Sequence, residues 1–288
     1  MSYRTISIKK DRSVCIISLN RPEAANAISR LMTRELDQAF DEACVDSDIK
    51  CIYLRGEGKN FSSGHDLGSS AQLSDQERPQ EIDPRPRGTY LKWMYNDVEM
   101  SLKWRRLRKP IICGIKGYTI YHGTVVSACA DICIAGDDLK YMPSLVEANL
   151  FPWVTNLQAQ RVKEILFTQR FVLAPEAKSL GICTRVVPTS MLDDECMKLA
   201  HLIARSDGYH LWMMKKMINS AQDMAGLDTH VRASLDTWTA YRRDALDPLV
   251  IPQNKKTRDH GGNSKKLAPV NQSLKGYAWK LTEIGSKL

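Results

Sequence analysis

Two glycine-containing segments carry the residues best suited to chemistry. Phe61-Ser62-Ser63-Gly64-His65-Asp66-Leu67 follows an apolar run broken at Gly56-Glu57-Gly58, and Gly117-Tyr118-Thr119-Ile120-Tyr121-His122-Gly123 follows the run Ile111 to Ile115. Each leads into a helix start. A helix N-terminus presents N–H groups that have no acceptor within the helix, and the positive end of the helix dipole. Two such donors aimed at one point hold a carbonyl oxygen and stabilise it as negative charge develops. A single strand-turn-helix is common; two in one chain are more specific. Each turn also carries a histidine, His65 and His122. Imidazole titrates near neutral pH and is a frequent general base. The other reading is that both residues supply only N–H groups and fill space. Asp66 reads as a helix cap or loop anchor, and Tyr121 as packing or as a hydrogen-bond donor. The chain has no P-loop or dinucleotide fingerprint, and no Ser-His-Asp spacing can be defended.

The elements that must hold these turns are legible in outline. Alternating apolar residues from Ile6 to Leu19 predict a hairpin around Lys10-Asp11-Arg12, ended by Asn20-Arg21-Pro22. Leu31, Met32, Leu36, Phe40 and Cys44 repeat at helical spacing over Ser29 to Val45. Ile49 to Gly56, Ile111 to Ile115 and Asp131 to Ala135 read as short buried strands, with one more around Leu139 to Tyr141. Gly68 to Gly88 reads as a long polar loop. Tyr90 to Leu107 has helical spacing through Trp93, Val98, Met100 and Trp104 and stops at Pro110. Helices are expected over Thr124 to Ala130, Gln158 to Thr168 and Ala174 to Gly181, then Met191 to Arg205, Tyr209 to Met224 and Asp228 to Leu246. The polar stretch beyond Val250 reads as a solvated extension.

Bulk properties narrow the classes. The 288 residues are 43% hydrophobic and 26% charged, ordinary for a globular chain with a normal core. No run of 18 apolar residues predicts a membrane span, and Met1-Ser2-Tyr3-Arg4 lacks a signal-peptide layout. The eight cysteines are scattered and mostly sit in apolar runs, which favours buried thiols in a reduced, cytoplasmic protein over a metal or redox role. The net charge of +8 is concentrated in Trp104-Arg105-Arg106-Leu107-Arg108-Lys109 and after Val250. A basic surface suits a polyphosphate ligand; solvated surface charge is the plainer reading. Neither a nucleic-acid partner nor a membrane is expected.

Over about residues 3 to 247 the chain resembles the crotonase (enoyl-CoA hydratase/isomerase) superfamily. The resemblance rests on Ser18-Leu19-Asn20-Arg21-Pro22-Glu23-Ala24-Ala25-Asn26-Ala27, on the FSSGHDL segment and on Lys109-Pro110-Ile111. It continues through Lys116 to Ile132 and Ala174 to Val187. It implies an α/β fold, a spiral of repeated ββα units with a C-terminal helical module. The expected division is a ββα core over 1–190, a helical oligomerisation module over 191–250 and a basic tail over 251–288. It implies a homotrimer or hexamer, with an acyl-CoA thioester as ligand. Coenzyme A is then part of the substrate, with no separate cofactor and no metal. The oxyanion donors map onto the N–H groups of His65 and His122. Ala25, Ala27, Asp66, Leu67 and Gly68 would line the CoA path, with Arg21 and Lys59 near its phosphates and Lys215 and Lys216 placed to reach a neighbouring subunit's ligand.

The departures bear on the reaction. The second turn of such proteins normally carries consecutive glycines, where Tyr121 and His122 stand here, so the pocket should be narrower. Hydratases of this family use two glutamates to handle one water; those positions hold Val125 and Leu145. Glu147 lies just beyond and reaches the site if its loop shifts; a surface glutamate is the alternative. The expectation is an acyl-CoA enzyme that stabilises a thioester enolate without the glutamate pair. The alternatives are an isomerase, decarboxylase or C–C hydrolase on an unusual acyl-CoA, or a non-catalytic acyl-CoA binder. His65, His122 and Glu147 are the candidate catalytic side chains.

Overall fold

A hairpin opens the chain. Strand β1 (Ile6–Asp11) pairs antiparallel with β2 (Val14–Leu19), from Ile6 opposite Leu19 to Asp11 opposite Val14. Arg12 turns the corner with φ 52°. The computed structural model describes residues 3–66, 90, 91, 93–143 and 159–246, with side chains to residue 237. Gly68 to Gly88, Leu145, Glu147 and the basic tail therefore lie outside the described residues.

Helix α1 (Arg30–Val45) starts where Ser29 accepts a hydrogen bond from the Met32 N–H at 3.2 Å. Its buried face is Met32, Leu36, Ala39, Phe40 and Ala43, the three-to-four spacing of an amphipathic helix. Met32, Leu36 and Phe40 are at most 1% exposed, and full burial of such a side chain is worth about 1.5–3 kcal/mol.

Strands β3 (Cys51–Gly56), β4 (Ile111–Ile115), β6 (Ile132–Gly136) and β9 (Arg185–Val187) complete a six-stranded sheet of order β1-β2-β3-β4-β6-β9. Every pairing after the hairpin is parallel. Parallel strands read as continuous apolar runs because both faces are covered. On one face Ile17, Leu19, Ile52, Leu54 and Cys113 join the main core with α1. On the other, Val14, Cys51, Tyr53, Ile112 and Ile134 pack against Leu192, Cys196 and Ala200 of α6 (Leu192–Ile203). A second sheet joins β5 (Tyr118–Ile120) parallel to β7 (Lys140–Met142), and β7 antiparallel to β8 (Val172–Leu173). The chain also forms α2 (Met100–Arg105), α3 (His122–Ala128), α4 (Ala159–Thr168) and α5 (Ala174–Ser179). With α7 (Gly208–Met224) and α8 (Leu227–Leu246), this is the expected α/β spiral of ββα units carrying a C-terminal helical module.

Local differences from the sequence reading have physical causes. Gly117 to Gly123 is not one turn: Tyr118–Ile120 is a strand held by β7 and by a bridge to Ser62, and the helix starts at His122. The helix preceding Pro110 is not uniform, since Met94–Glu99 forms a π-helical turn ahead of α2. Such turns are rare and are often found at functional sites. β8 is too short for a periodic signal. The basic cluster is divided: the buried Arg105 pairs with Asp223 at 3.0 Å, the exposed Arg106 pairs with Asp228 at 2.5 Å, Lys109 donates to the carbonyls of Ala43 and Asp46, and Arg108 is exposed. The reach of Lys215 to a neighbouring subunit is also overturned. Its side chain is 6% exposed, and its ammonium lies 2.7 Å from Asp131.

Seven of the eight cysteines are buried and Cys44 is half-buried; none forms a disulfide. Burial pushes the Cys15 thiol up to about 11, and those of Cys51, Cys129, Cys183 and Cys196 up to about 12. The thiolate is the reactive form. A thiol-reactive dye at pH 8 should therefore label Cys44 rapidly in the native protein and the rest only after denaturation. Rapid labelling of several native thiols would contradict this packing.

Candidate active site

The first turn is held on both sides by backbone. The N–H groups of Phe61 and Ser62 donate to Lys116 and Tyr118 carbonyls at 2.9 and 3.0 Å, setting the segment beside β5. Ser63 N–H donates to Ala25 O, Ile28 N–H to Gly64 O and Asp66 N–H to Ile28 O, at 2.8–3.0 Å. Ser62 Oγ accepts from Gly64 N–H at 3.1 Å and donates to Asn26 O at 2.8 Å. Ala25 and Asn26 have φ of 49° and 53°, consecutive left-handed residues that bend this stretch around the turn. The buried Asn26 amide fixes the bend by accepting from Arg21 N–H and donating to the Glu57 and Asn60 carbonyls, each at 2.9 Å. Beneath it Arg21 and Asp66 form an ion pair at 2.8 Å, with side chains 7% and 3% exposed. Arg21 also donates to Ala27 O at 2.8 Å. Four of the residues proposed from sequence for the CoA path, Arg21, Ala25, Ala27 and Asp66, thus belong to one structural unit. Leu67 and Gly68 lie outside the described residues.

The second turn closes on the first. Gly64 has φ 90°, and a Cβ there would stand 2.8 Å from Tyr121 Cβ, 3.0 Å from Ile120 O and 3.2 Å from His122 N. Tyr121 caps α3 with φ 51° and ψ −125°, a conformation suited to glycine and costly for a bulky L-residue. Its N–H donates to Met142 O at 2.9 Å, and its carbonyl accepts from Thr124 N–H at 2.8 Å and Thr124 Oγ1 at 2.7 Å. His122 is the first residue of α3, so its N–H points out of the helix start, beside Gly64. The geometry brings the two predicted donor segments to one place.

It also brings their side chains together. The imidazoles of His65 and His122 stack with centroids 4.0 Å apart and planes 13° from parallel. The Trp93 ring meets His65 edge-on at 5.0 Å and 86°. Asp97, on the π-helical turn, places Oδ1 3.3 Å from His65 Nε2 and 3.5 Å from His122 Nδ1. Sequence reasoning missed Asp97. Its one signal was the i, i+4 spacing from Trp93. Val125 lies one turn beyond His122 in α3, buried at 4% exposure in the apolar core. Glu147 cannot be placed against these groups, since it lies outside the described residues.

Two imidazoles and a carboxylate, with candidate ligand atoms within 4.8 Å of one another, have the composition of a metal-binding set. The stacking opposes that use. An imidazole lone pair lies in the ring plane, and no nearby point lies in the planes of two nearly parallel rings 4.0 Å apart. The two rings instead lie face to face beside a carboxylate. Among the described residues no helix is long and apolar enough to cross a membrane.

Known proteins resemble this chain in sequence and fold. An enoyl-CoA hydratase of Mycobacterium tuberculosis, EchA19, is 32% identical over 199 residues, covering 66% of this chain and 70% of its own length. The crystal structure of an enoyl-CoA hydratase from Mycobacterium smegmatis superposes with TM-score 0.71 at 27% identity, over 83% of this chain and 85% of its own. An enoyl-CoA hydratase/isomerase from Xanthobacter autotrophicus Py2, at 23% identity, shares the fold with TM-score 0.76 over 97% and 100% of the two chains. The family profile described as enoyl-CoA hydratase/isomerase matches residues 9–244. With that match spanning both turns and the sheet that holds them, the chain belongs to the enoyl-CoA hydratase/isomerase family.

Proposed function

We propose that the protein binds an acyl-CoA thioester and stabilises its enolate between the N–H groups of His65 and His122. The observation that carries this reading is the contact of the two turns, with Gly64 set against His122 N. Preorganised donors that meet where charge develops are usually the largest single catalytic contribution. The side chains of His65 and His122 move the proton in this reading, and Glu147 is the further candidate from the sequence. CoA runs along Ala25, Ala27 and Asp66 toward Leu67 and Gly68. Arg21 contributes by holding Asp66. Coenzyme A enters with the substrate, and no resident cofactor or metal is invoked.

Water addition is not the favoured outcome. The buried Val125 cannot exchange a proton, and acid–base groups of this kind are worth about 10²–10⁴-fold. Crotonyl-CoA hydration should therefore run about 10²–10⁴-fold below that of glutamate-bearing relatives. Exchange of the α-protons of butyryl-CoA with D2O should still be measurable. Hydration at an ordinary hydratase rate, or binding without exchange, would overturn the reading. The imidazole pair favours a second reading within the same class, double-bond isomerisation, because it can relocate a proton without fixing a water. Assembly as a homotrimer or hexamer, in the cytoplasm, belongs to the same proposal. The exposed Met213, Met214, Met217 and Ile218 on α7 support burial against another copy.

A further inference from the structure

Building on that enolate reading, we propose that Arg232 of α8 is a positioning residue: by pairing with Glu99 it holds the π-helical segment whose Trp93 ring bears on His65, so that a helix outside both turns sets a wall of the site. Three consecutive turns of α8 each place one polar side chain on the chain between Tyr90 and Arg106. Asp228 pairs with Arg106 at 2.5 Å, Arg232 takes both carboxylate oxygens of Glu99, and Asp236 accepts from the Tyr90 hydroxyl at 2.9 Å. Asp228, Arg232 and Asp236 stand four apart, so they share one face of the helix. Beside them Leu227, Val231 and Leu235 repeat at the same interval and are buried in the main core, against which Tyr90, Trp93 and Met94 also pack. The contact is an apolar seam with a polar edge, and it sets α8 against the π-helical turn.

A single exposed ion pair contributes little, but a two-pronged arginine–carboxylate pair within a network is the exception. Arg232 Nε also pairs with Asp228 at 2.7 Å, Arg106 meets Asp223 at 3.2 Å, and Asp223 meets the buried Arg105 at 3.0 Å. Bases and acids thus alternate from Glu99 to α7 and α2. Glu99 is the last residue of the π-helical turn, Val98 beside it is 1% exposed, and Trp93 immediately precedes the turn. Such a turn seldom forms without support, and here the segment is held ahead of it at Tyr90 and at its end by Glu99. What these contacts fix is the rotation of the segment about its axis, and with it the edge-on meeting of Trp93 and His65 at 5.0 Å. His65 supplies the first donor in the enolate reading, so rotation of the segment shifts the ring attached to that donor residue. Arg232 acts through Glu99 and not on the reacting atoms, which is why it is a positioning residue.

The test compares the full-length protein with Arg232→Met, Arg232→Lys, Glu99→Gln and the double variant Arg232→Met with Glu99→Gln. For α-proton exchange of butyryl-CoA, kcat of Arg232→Met should fall about 10- to 100-fold, with KM changed less than about 3-fold. Arg232→Lys keeps the charge without the fork and should recover part of the loss. The double variant should be no slower than the slower single one, because both changes remove the same pair. In protein labelled with 5-fluorotryptophan, the 19F resonance that vanishes in Trp93→Phe should move in Arg232→Met and in Glu99→Gln. Exchange at the wild-type rate in Arg232→Met, single losses that add in the double variant, or a Trp93 resonance that stays in place would each overturn the proposal. If the wild type exchanges no α-protons, the enolate reading fails, and the Trp93 resonance still decides whether Arg232 holds the segment.

Discussion

Gly64→Ala should abolish α-proton exchange and lower stability by about 2–6 kcal/mol, adding backbone strain to overpacking. Residue 64 has φ 90°, where an L-residue is strained whatever the space around it. The space is also lacking. The new methyl would meet Tyr121 Cβ at 2.8 Å and Ile120 O at 3.0 Å, and neither is the loose end of a side chain. The two turns must then part, and the proposed donors part with them. Since a domain is typically stable by only about 5–15 kcal/mol, the loss is a large share of the total. Urea unfolding measures it as a lowered midpoint at unchanged slope. A midpoint at the wild-type value would mean that the turns do not touch as described.

Asp66→Ala should cost about 3–5 kcal/mol, because it leaves the Arg21 guanidinium buried without its carboxylate. The loss comes from the stranded charge more than from the pair's net contribution. The double replacement Arg21→Met with Asp66→Leu should therefore recover much of the stability, since apolar residues of similar volume often substitute for a buried pair without penalty. It should not recover CoA affinity if Asp66 lines the CoA path as proposed. Urea titration of the single and double variants, with a CoA-thioester binding titration on the double, separates the two effects. A single variant as stable as wild type would show that the pair is solvated.

These two sites illustrate what the chain made legible. Gly64 stood out as the glycine of a segment read as a turn after a buried strand; that its φ is 90° is a finding of the structure. Ser29 announced the start of α1, and the apolar runs announced β2, β3, β4 and β6. Arg21 and Lys215 could be read only as cations, because the acids opposite them, Asp66 and Asp131, are remote in sequence. Asp97 was harder still. One carboxylate on an amphipathic helical stretch has no distinguishing mark, and its approach to both histidines comes from a π-helical turn that the residue spacing does not reveal. Periodicity reports which face is buried; it does not report which polar groups meet across the fold.

Tyr121 has a consequence for descent. Its backbone sits where glycine would be at ease, and glycine is what the family resemblance implies at that turn. Yet no tyrosine codon becomes a glycine codon by a single base change, and the intermediate steps encode cysteine or aspartate. A lineage that has acquired this tyrosine therefore has no direct route back. Either intermediate would place a different side chain over Gly64 before the turn could regain its freedom. Tyrosine at this turn is thus a state that the genetic code itself helps to retain.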